Sequence, residues 1–218
     1  MNPSITSYCE LLIKWQRHIN LVGPKTIENL SERHIADSLQ VLRHIPQGAS
    51  VIDLGSGAGL PGVVLAIENP SLSVTCVDND QKKIAFLVEV KSRLGLPNLI
   101  PLVSDWNALS QKYDVVVARA AGKLTNMLAV MDSCTRVGHG LGIFHKGQSW
   151  REEYVAAQET WRFSCTTEPS LTNSDSALLI IQNLEPKVVQ PIDKPSIGQL
   201  NKESHEEIEG QRGSKTNE

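Results

Sequence analysis

The chain has 218 residues, 40% of them hydrophobic, and a formal net charge of −3. That length suits one α/β domain with additions, and a near-neutral charge argues against an autonomous RNA binder of high affinity, although a local basic face remains compatible with it. No apolar run approaches the roughly 18 residues that cross a membrane, and Lys14 and Arg17 interrupt the stretch that would serve as a signal peptide.

The four cysteines lie far apart in the sequence and form no C-x-x-C pair: Cys9, Cys76, Cys134 and Cys165. Such spacing favours reduced thiols over a disulfide framework or a zinc site. We therefore expect a cytoplasmic protein without a metal, and we expect it to be a monomer.

The chain begins with a predicted amphipathic helix over Ser7–Asn20. Its apolar residues recur at helical spacing, at Tyr8, Leu11, Leu12, Trp15 and Ile19. Lys14 lies off this stripe, where it is either part of a solvated basic face or a contact to an RNA phosphate.

A second helix is predicted from Glu28 to His44, after a break at Gly23-Pro24. Its apolar face is expected to contain Ile35, Leu39 and Leu42. Polar side chains cluster on the opposite side, at Arg33, His34, Asp37 and Ser38. This cluster is either a hydrogen-bonded helix surface with an Arg33–Asp37 ion pair or part of a functional site.

A glycine-rich turn organises the middle of the chain. An apolar strand, Val51–Leu54, runs into Gly55, Gly57 and Gly59, and Pro61 then stands where a helix is expected to begin. Glycine accepts positive φ and lets a ligand approach the backbone closely. A strand, a glycine turn and a helix in this order predict a ligand site at the carboxyl edge of an α/β sheet.

Two cofactor classes suit this turn. The spacing Gly57-x-Gly59-x-x-Gly62 fits the dinucleotide fingerprint, in which a pyrophosphate lies on the helix N-terminus. Asp53, two residues before Gly55, favours S-adenosylmethionine instead, because a carboxylate attracts the ammonium group of that cofactor and repels a pyrophosphate. An ordinary tight turn is the third alternative.

Three further predicted strands end in polar residues. Asp78 follows the strand Ser73–Val77, where it is either a ribose ligand or the N-cap of the next helix. Trp106 and Asn107 follow the third strand, and the tryptophan either stacks on an adenine or fills a gap between helices. Arg119 follows the fourth strand and is either a functional group at the ligand edge or part of a surface salt bridge.

The sequence predicts seven strands in all. The first five, expected to be joined by helical crossovers, are Val51–Leu54, Ser73–Val77, Ile100–Val103, Val115–Ala118 and Leu141–His145. The helices expected among them and after them are Pro61–Glu68, Gln81–Leu94, Leu124–Cys134 and Trp150–Thr160. The last two strands, Phe163–Thr167 and Ala177–Leu184, are separated by a short polar turn and are therefore predicted to be antiparallel. Such a closing hairpin is typical of methyltransferases and not of nicotinamide-binding sheets.

Residues 185–218 differ from the rest in composition. They have no aromatic residue and little apolar periodicity, so we predict a disordered tail. The predicted organisation is an N-terminal helical extension over residues 1–48, an α/β methyltransferase domain of Rossmann-like fold over residues 49–184, and this tail.

Taken together, these motifs resemble the small-subunit ribosomal RNA guanine-N7 methyltransferases, the RsmG family, also called glucose-inhibited division protein B. The resemblance runs from about Leu11 to Leu184. It rests on Lys14-Trp15, Asn20-Leu21, Arg33-His34-Ile35, Asp37-Ser38, Asp53 to Gly62, Asp78, Arg119-Ala120 and Lys146-Gly147. It implies that S-adenosylmethionine is held at Gly55, Leu60, Trp106, Asn107 and Arg119.

The resemblance also implies the chemistry and the substrate, 16S ribosomal RNA. Guanine N7 has a lone pair and no proton at neutral pH, so methyl transfer needs positioning and no general base, and we expect no catalytic acid or base. Side chains expected to contact the RNA are Lys14, Arg33, His34, Lys123 and Lys146. The alternative is a protein that binds S-adenosylmethionine or NAD without catalysis.

Overall fold

The computed structural model describes residues 2–23, 34–136 and 138–187. Within these residues, seven strands form one sheet in the order β3-β2-β1-β4-β5-β7-β6. The strands are β1 Ser50–Leu54, β2 Ser73–Asp78, β3 Leu99–Val103, β4 Val115–Arg119, β5 Leu141–Lys146, β6 Trp161–Pro169 and β7 Ala177–Pro186. The first five are parallel, and β7 pairs antiparallel with both β5 and β6, which confirms the predicted hairpin.

The strand order reverses between β1 and β4. From β1 the chain proceeds outward to β2 and β3, then returns to place β4 on the other side of β1. Ligands of open α/β sheets bind at such a reversal, outside the carboxyl ends of the strands. The residues that follow β1 and β4 are therefore the first candidates for a site.

Helices cover both faces of this sheet. The described helices are α1 Pro3–Gln16, α2 Ala36–Leu42, α3 Gly62–Glu68, α4 Gln81–Leu94, α5 Leu124–Cys134 and α6 Trp150–Thr160. Alternate residues of each buried strand point to opposite faces. Val115 and Val117 of β4 join a core with α1 to α4, whereas Val116 and Ala118 join a second core with α5 and α6.

Helix α1 begins and ends earlier than predicted. Asn2 caps it by accepting a hydrogen bond from the Ser4 backbone N–H at 3.0 Å, and proline stands at the first helical position. At its other end, the Gln16 side chain binds the backbone of Leu21 and Val22, and this contact turns the chain away. The predicted apolar stripe is confirmed, because it packs on the same core as the sheet.

Helix α2 confirms the predicted apolar face in part. Ile35 and Leu42 pack on the core, but Leu39 does not. Leu39 is 40% exposed, whereas Asp37, Ser38 and Gln40 are buried. The reason is the neighbour of α2, the polar turn between β6 and β7. The Gln40 Nε2 donates to the Pro169 backbone oxygen at 2.9 Å, so the part of this helix that faces the hairpin is polar. The predicted first half of the helix, with Arg33, lies outside the described residues.

Two other predictions need correction. The segment from β3 to β4 contains only a short 3₁₀ turn, Trp106–Ala108, in place of the expected crossover helix. Strand β7 continues through Glu185 and Pro186, which pair with Arg162 and Trp161, so the expected boundary at residue 184 falls two residues too early. The predicted disorder beyond this point concerns residues outside the described ranges.

None of the helices in the described part of the chain combines the length and apolar character required to cross a membrane.

Candidate active site

The turn after β1 has the conformation that its glycines predict. Gly55, Gly57 and Gly59 have φ values of 62°, 54° and 89°. At Gly55 the close approach matters as well, because an added Cβ would lie 3.1 Å from the Trp106 ring. A side chain at position 55 would therefore crowd Trp106, which belongs to the segment after β3.

Asp53 holds this turn from inside. Its side chain is fully buried, and its Oδ2 accepts a hydrogen bond from the Gly62 N–H at 2.9 Å, at the start of α3. Burial raises the pKa of Asp53 to about 7, against the opposing effect of that hydrogen bond. The expected contact with an ammonium group is therefore corrected: Asp53 fixes the glycine turn and does not face open space.

Asp78 at the end of β2 also binds this turn. Its Oδ2 accepts from the Gly57 N–H at 3.0 Å, and its Oδ1 accepts from the Asp80 N–H at 2.9 Å. Helix α4 is capped by Asp80, which accepts from the Lys82 N–H, so the N-cap alternative for Asp78 is wrong. The Lys83 Nζ also donates to Oδ2, at 3.5 Å, so Oδ1 is the Asp78 oxygen that keeps a second lone pair for a ligand.

A cavity of about 480 Å³, here called the glycine-turn cavity, lies beside Asp78 and Gly55. Its volume falls within the roughly 300–1,000 Å³ of small-molecule sites. The residues that line it are Gly55, Val77, Asp78, Asn79, Lys83, Ser104, Asp105, Trp106, Ala120 and Ala121. Trp106 packs on the core under α5 and also lines this cavity, so its stacking on an adenine stays a prediction.

Two predicted cofactor residues do not line this cavity. Asn107 is exposed, and both its N–H and its Nδ2 donate to the Asp105 Oδ1, at 2.8 and 2.9 Å. Leu60 is buried in the core beneath the turn. Any direct role of these two residues in cofactor binding stays a prediction.

A second cavity, of about 360 Å³, adjoins the first at Ala120. We call it the hairpin cavity, because the turn between β6 and β7 forms one wall. The residues that line it are Asp37, Arg119, Ala120, Gly122, His145, Lys146, Gly147, Glu153, Ser170, Thr172, Asn173 and Ser176. Ala120 has a φ of 55°, so the backbone between the two cavities takes a left-handed conformation that favours glycine.

Asp37 anchors the hairpin wall. Its two carboxylate oxygens accept hydrogen bonds from the hydroxyls of Ser170 and Thr172, at 3.0 and 2.9 Å. Arg119 approaches the same carboxylate more loosely, with 3.9 Å between Nη2 and Oδ2. The Arg119 side chain is 20% exposed and lines the cavity, as expected for a group at the carboxyl end of β4.

Lys146 is held by structural contacts. Its Nζ donates to the Gly122 backbone oxygen and forms an ion pair with Glu153, both at 2.6 Å. The same Glu153 accepts from the Leu124 N–H at the start of α5. The prediction that Lys146 binds an RNA phosphate is therefore corrected, because its ammonium group is buried and already neutralised.

The other predicted RNA contacts have different positions. Lys123 is exposed immediately after the hairpin-cavity residue Gly122, where a phosphate contact remains a prediction. Lys14 lines a groove with Arg93 and Leu94 at the C-terminal end of α4. Lys14 is not among the described residues that line either cavity, and its contact with an RNA phosphate stays a prediction. His34 is buried, and Arg33 lies outside the described residues.

Several site residues were not predicted from the sequence. Asp105 carried a usable signal, since it follows the predicted strand Ile100–Val103 just as Asp78 follows Ser73–Val77. His145 carried a similar one, at the end of β5 beside Arg119. Ser170 and Thr172 had none, because only the tertiary fold brings them to Asp37. No group of three metal-binding side chains occurs within residues 2–23, 34–136 and 138–187.

The chain is similar to solved methyltransferase structures. A SAM dependent methyltransferase from Aquifex aeolicus has a TM-score of 0.57 at 15% identity, covering 74% of this chain and 98% of that one. A ribosomal protein L11 methylase from Lactobacillus delbrueckii subsp. bulgaricus has a TM-score of 0.54 at 17% identity, covering 67% and 76%. At such low identities the likeness establishes the fold, a Rossmann-like methyltransferase fold.

Similarity in sequence is more specific. The family model described as rRNA small subunit methyltransferase G, GidB, matches residues 1–179. Proteins named ribosomal RNA small subunit methyltransferase G are 38% identical over 183 residues in Paracoccus denitrificans (strain Pd 1222) and 35% identical over 182 residues in Ruegeria sp. (strain TM1040). These alignments cover 83% and 82% of this chain, and 94% and 88% of the relatives. The chain therefore belongs to the rRNA small subunit methyltransferase G family.

Proposed function

We propose that this protein transfers a methyl group from S-adenosylmethionine to N7 of a guanine in 16S ribosomal RNA. The observation that carries the proposal is the junction of two cavities at Ala120, at the reversal of strand order. One cavity suits a nucleoside and the other is large enough for a base. Membership of the methyltransferase G family supports the choice of ribosomal RNA.

The glycine-turn cavity fits the adenosine part of this cofactor. Asp78 ends β2 and its Oδ1 keeps a second lone pair, which suits acceptance of a hydrogen bond from a ribose hydroxyl. Asp105 and Trp106 line the same cavity, where the carboxylate suits an adenine amino group and the indole suits the face of the base. Gly55 lines this cavity as well, and we assign its exposed backbone to contact with the methionine part.

The reaction places modest chemical demands on the protein. When bound, S-adenosylmethionine supplies a methyl group from its sulfonium, and guanine N7 takes that group with its lone pair, so that no proton has to leave. The protein therefore has to align the base and exclude water. Alignment of this kind lowers a barrier by roughly 7–11 kcal/mol, which is enough without a general base.

Arg119 is proposed to act at the boundary between the two cavities. Its guanidinium lines the hairpin cavity, 3.9 Å from the Asp37 carboxylate, and its planar fork suits bidentate binding of a carboxylate or a phosphate. We assign it to the cofactor carboxylate or to the RNA backbone and not to the guanine, because methylation leaves positive charge on that base. Lys123, exposed nearby, is assigned to an RNA phosphate.

The guanine has to be presented outside a helix. In A-form RNA the N7 edge faces a deep and narrow groove that side chains do not reach. We therefore propose a target in a loop or turned outward, within 16S RNA of the small subunit or its precursor. A net charge of −3 supports recognition of a folded particle over tight binding of naked RNA. We also propose that the enzyme acts in the cytoplasm, as a monomer and without a metal.

Two measurements test this function. Isothermal titration should show binding of S-adenosylmethionine and none of NAD. Incubation with a radiolabelled methyl donor should then label 16S ribosomal RNA in small subunits from cells that lack this protein. Binding of the cofactor without any transfer would favour a sensor over an enzyme.

A further inference from the structure

His145 is the last but one residue of β5 and faces the hairpin cavity. It lies level with Arg119 of β4 on one side and Leu178 of β7 on the other. The residue is only 8% exposed, yet it lines the cavity wall. Among the described residues, neither ring nitrogen has a hydrogen-bond partner. A buried imidazole left in this state costs free energy, so its position calls for an explanation.

Three charged groups of the cavity wall already have partners. Asp37 accepts from Ser170 and Thr172, and Lys146 pairs with Glu153. Those groups are already engaged, whereas within the described part of the chain the ring nitrogens of His145 are not. A planar ligand that enters the hairpin cavity could therefore form a hydrogen bond with His145. Because the ring lies at the carboxyl end of β5, next to β4, it is also close to the point where the two cavities join.

We infer that His145 is a positioning residue for the acceptor base and donates a ring N–H to O6 of the guanine. This inference rests on the function proposed above and names the group that orients the substrate. O6 lies beside N7 on the same edge of guanine. A donor to O6 fixes that edge while leaving the N7 lone pair free for the methyl group. Adenine carries an amino group in place of O6, so the same donor disfavours it.

The electrostatic surroundings suit this role. Burial lowers the pKa of His145 to about 4, with Asp37 acting in the opposite direction and Arg119 adding to the decrease. The ring is therefore neutral at physiological pH, and a neutral donor does not oppose the positive charge that methylation places on the base. The other charged groups of the cavity wall, Lys146 and Glu153, form an ion pair with each other and add little net charge.

The test compares His145→Leu with His145→Gln. Leucine has a similar volume and no polar atoms, so we expect the melting temperature to stay level or rise, while single-turnover methylation falls tenfold or more. Glutamine restores a donor and should recover most of the lost rate. His139→Leu, at an exposed position before β5, is the matched control and should methylate normally. A purely structural His145 predicts the reverse, with lower stability and a normal rate in folded protein.

A measurement without catalysis separates this inference from the proposed function. The ring signals of His145 in an NMR spectrum, assigned by their loss in His145→Leu, should shift when guanosine or inosine 5′-monophosphate is added. Adenosine 5′-monophosphate should leave them in place. Unmoved signals with the guanine nucleotide, or equal shifts with the adenine one, would overturn the role of His145 even if the protein methylates ribosomal RNA. If the signals shift as expected but no methyl group is transferred to RNA, binding of guanine at His145 is supported and the proposed function is contradicted.

Discussion

The two cavities share one edge of the sheet and the residue Ala120, but they are assembled in different ways. The glycine-turn cavity is built mainly from short segments that directly follow β1, β2 and β3. The hairpin cavity takes its walls from α2, β4, β5, α6 and the turn between β6 and β7. Its central hydrogen bonds join Asp37 to residues more than 130 positions away in the chain.

This difference explains which parts of the site are evident in the sequence. A cavity made of residues next to strand ends carries local motifs, since each strand and its following turn are contiguous. A cavity made by tertiary contacts carries none, and its polar residues look like ordinary surface residues. In this protein, the cavity proposed for the cofactor belongs to the first kind and the cavity proposed for the acceptor base to the second.

The largest effect is expected from Gly57→Val in the glycine turn. Gly57 has a φ of 54°, and its N–H donates to Asp78. An added Cβ would have no neighbour closer than 3.9 Å, so the damage comes from backbone strain, roughly 1–2 kcal/mol or more for a β-branched residue. Relief of that strain displaces the N–H from Asp78. We expect loss of measurable S-adenosylmethionine binding by isothermal titration in protein that remains folded.

Gly48→Val is a matched control for this change. Gly48 has a φ of 74° and open space around its Cβ position, but it precedes β1 and lies outside both cavities. The Gly48→Val protein should lose about as much stability as the Gly57→Val protein and keep its affinity for the cofactor. Normal affinity in Gly57→Val would show that the glycine turn does not hold the ligand.

The next effect is expected at Arg119, where the two cavities meet. Arg119→Lys keeps the positive charge and removes the bidentate fork. Methyl transfer should fall tenfold or more, equivalent to about 1.4 kcal/mol, while the melting temperature changes little. Single-turnover rates and thermal melts measured on the same variant decide the matter. Lower stability with wild-type turnover would instead identify Arg119 as a structural partner of Asp37.

A smaller effect, on stability alone, is expected for Asp53→Asn. The raised pKa of Asp53 means that the folded protein holds a proton that the unfolded chain releases, so this residue lowers stability as pH rises from about 4 through 7. Asparagine stays neutral and still offers an oxygen to the Gly62 N–H. Relative to wild type, the variant should gain roughly 1 kcal/mol or more between pH 5 and pH 8 in denaturant melts.

Cofactor affinity of the same variant checks the corrected role of Asp53. Because the carboxylate is buried and does not face the cavity, affinity should change by less than about threefold, well under 1 kcal/mol. Asp53→Ala is the contrasting variant, because it leaves the Gly62 N–H without its acceptor and should lose about 1–3 kcal/mol of stability. A large loss of affinity in a stable Asp53→Asn protein would restore the predicted contact with an ammonium group.

Much of the fold was predictable because its strands are strongly apolar and its turns rich in glycine. The seven strands, the closing hairpin and the left-handed glycines after β1 follow from such local signals. The buried face of α2 did not, since its polar residues are explained only by the hairpin turn that covers them. Lys146 was misassigned for the same reason, because its partner Glu153 comes from a different element.

The smallest effect is expected from removal of the residues after Lys187. Lys187 is the last residue with described contacts, and its N–H donates to the Thr160 backbone oxygen at 2.9 Å. A chain that ends there retains both cavities and the full length of β7, so its melting temperature should fall by no more than a few degrees, about 1 kcal/mol for a domain of this size. A much larger decrease would show that the C-terminal residues stabilise the domain.

Identification of the methylated nucleoside tests the proposed function most directly. Small ribosomal subunits from cells that lack this protein would be incubated with the purified enzyme and a labelled methyl donor, and the 16S RNA would be digested and separated into nucleosides. We predict that the label appears in 7-methylguanosine from a single position, and that it is absent when Gly57→Val replaces the wild-type protein. Label in any other nucleoside, or no label from wild-type enzyme that binds S-adenosylmethionine, would contradict it.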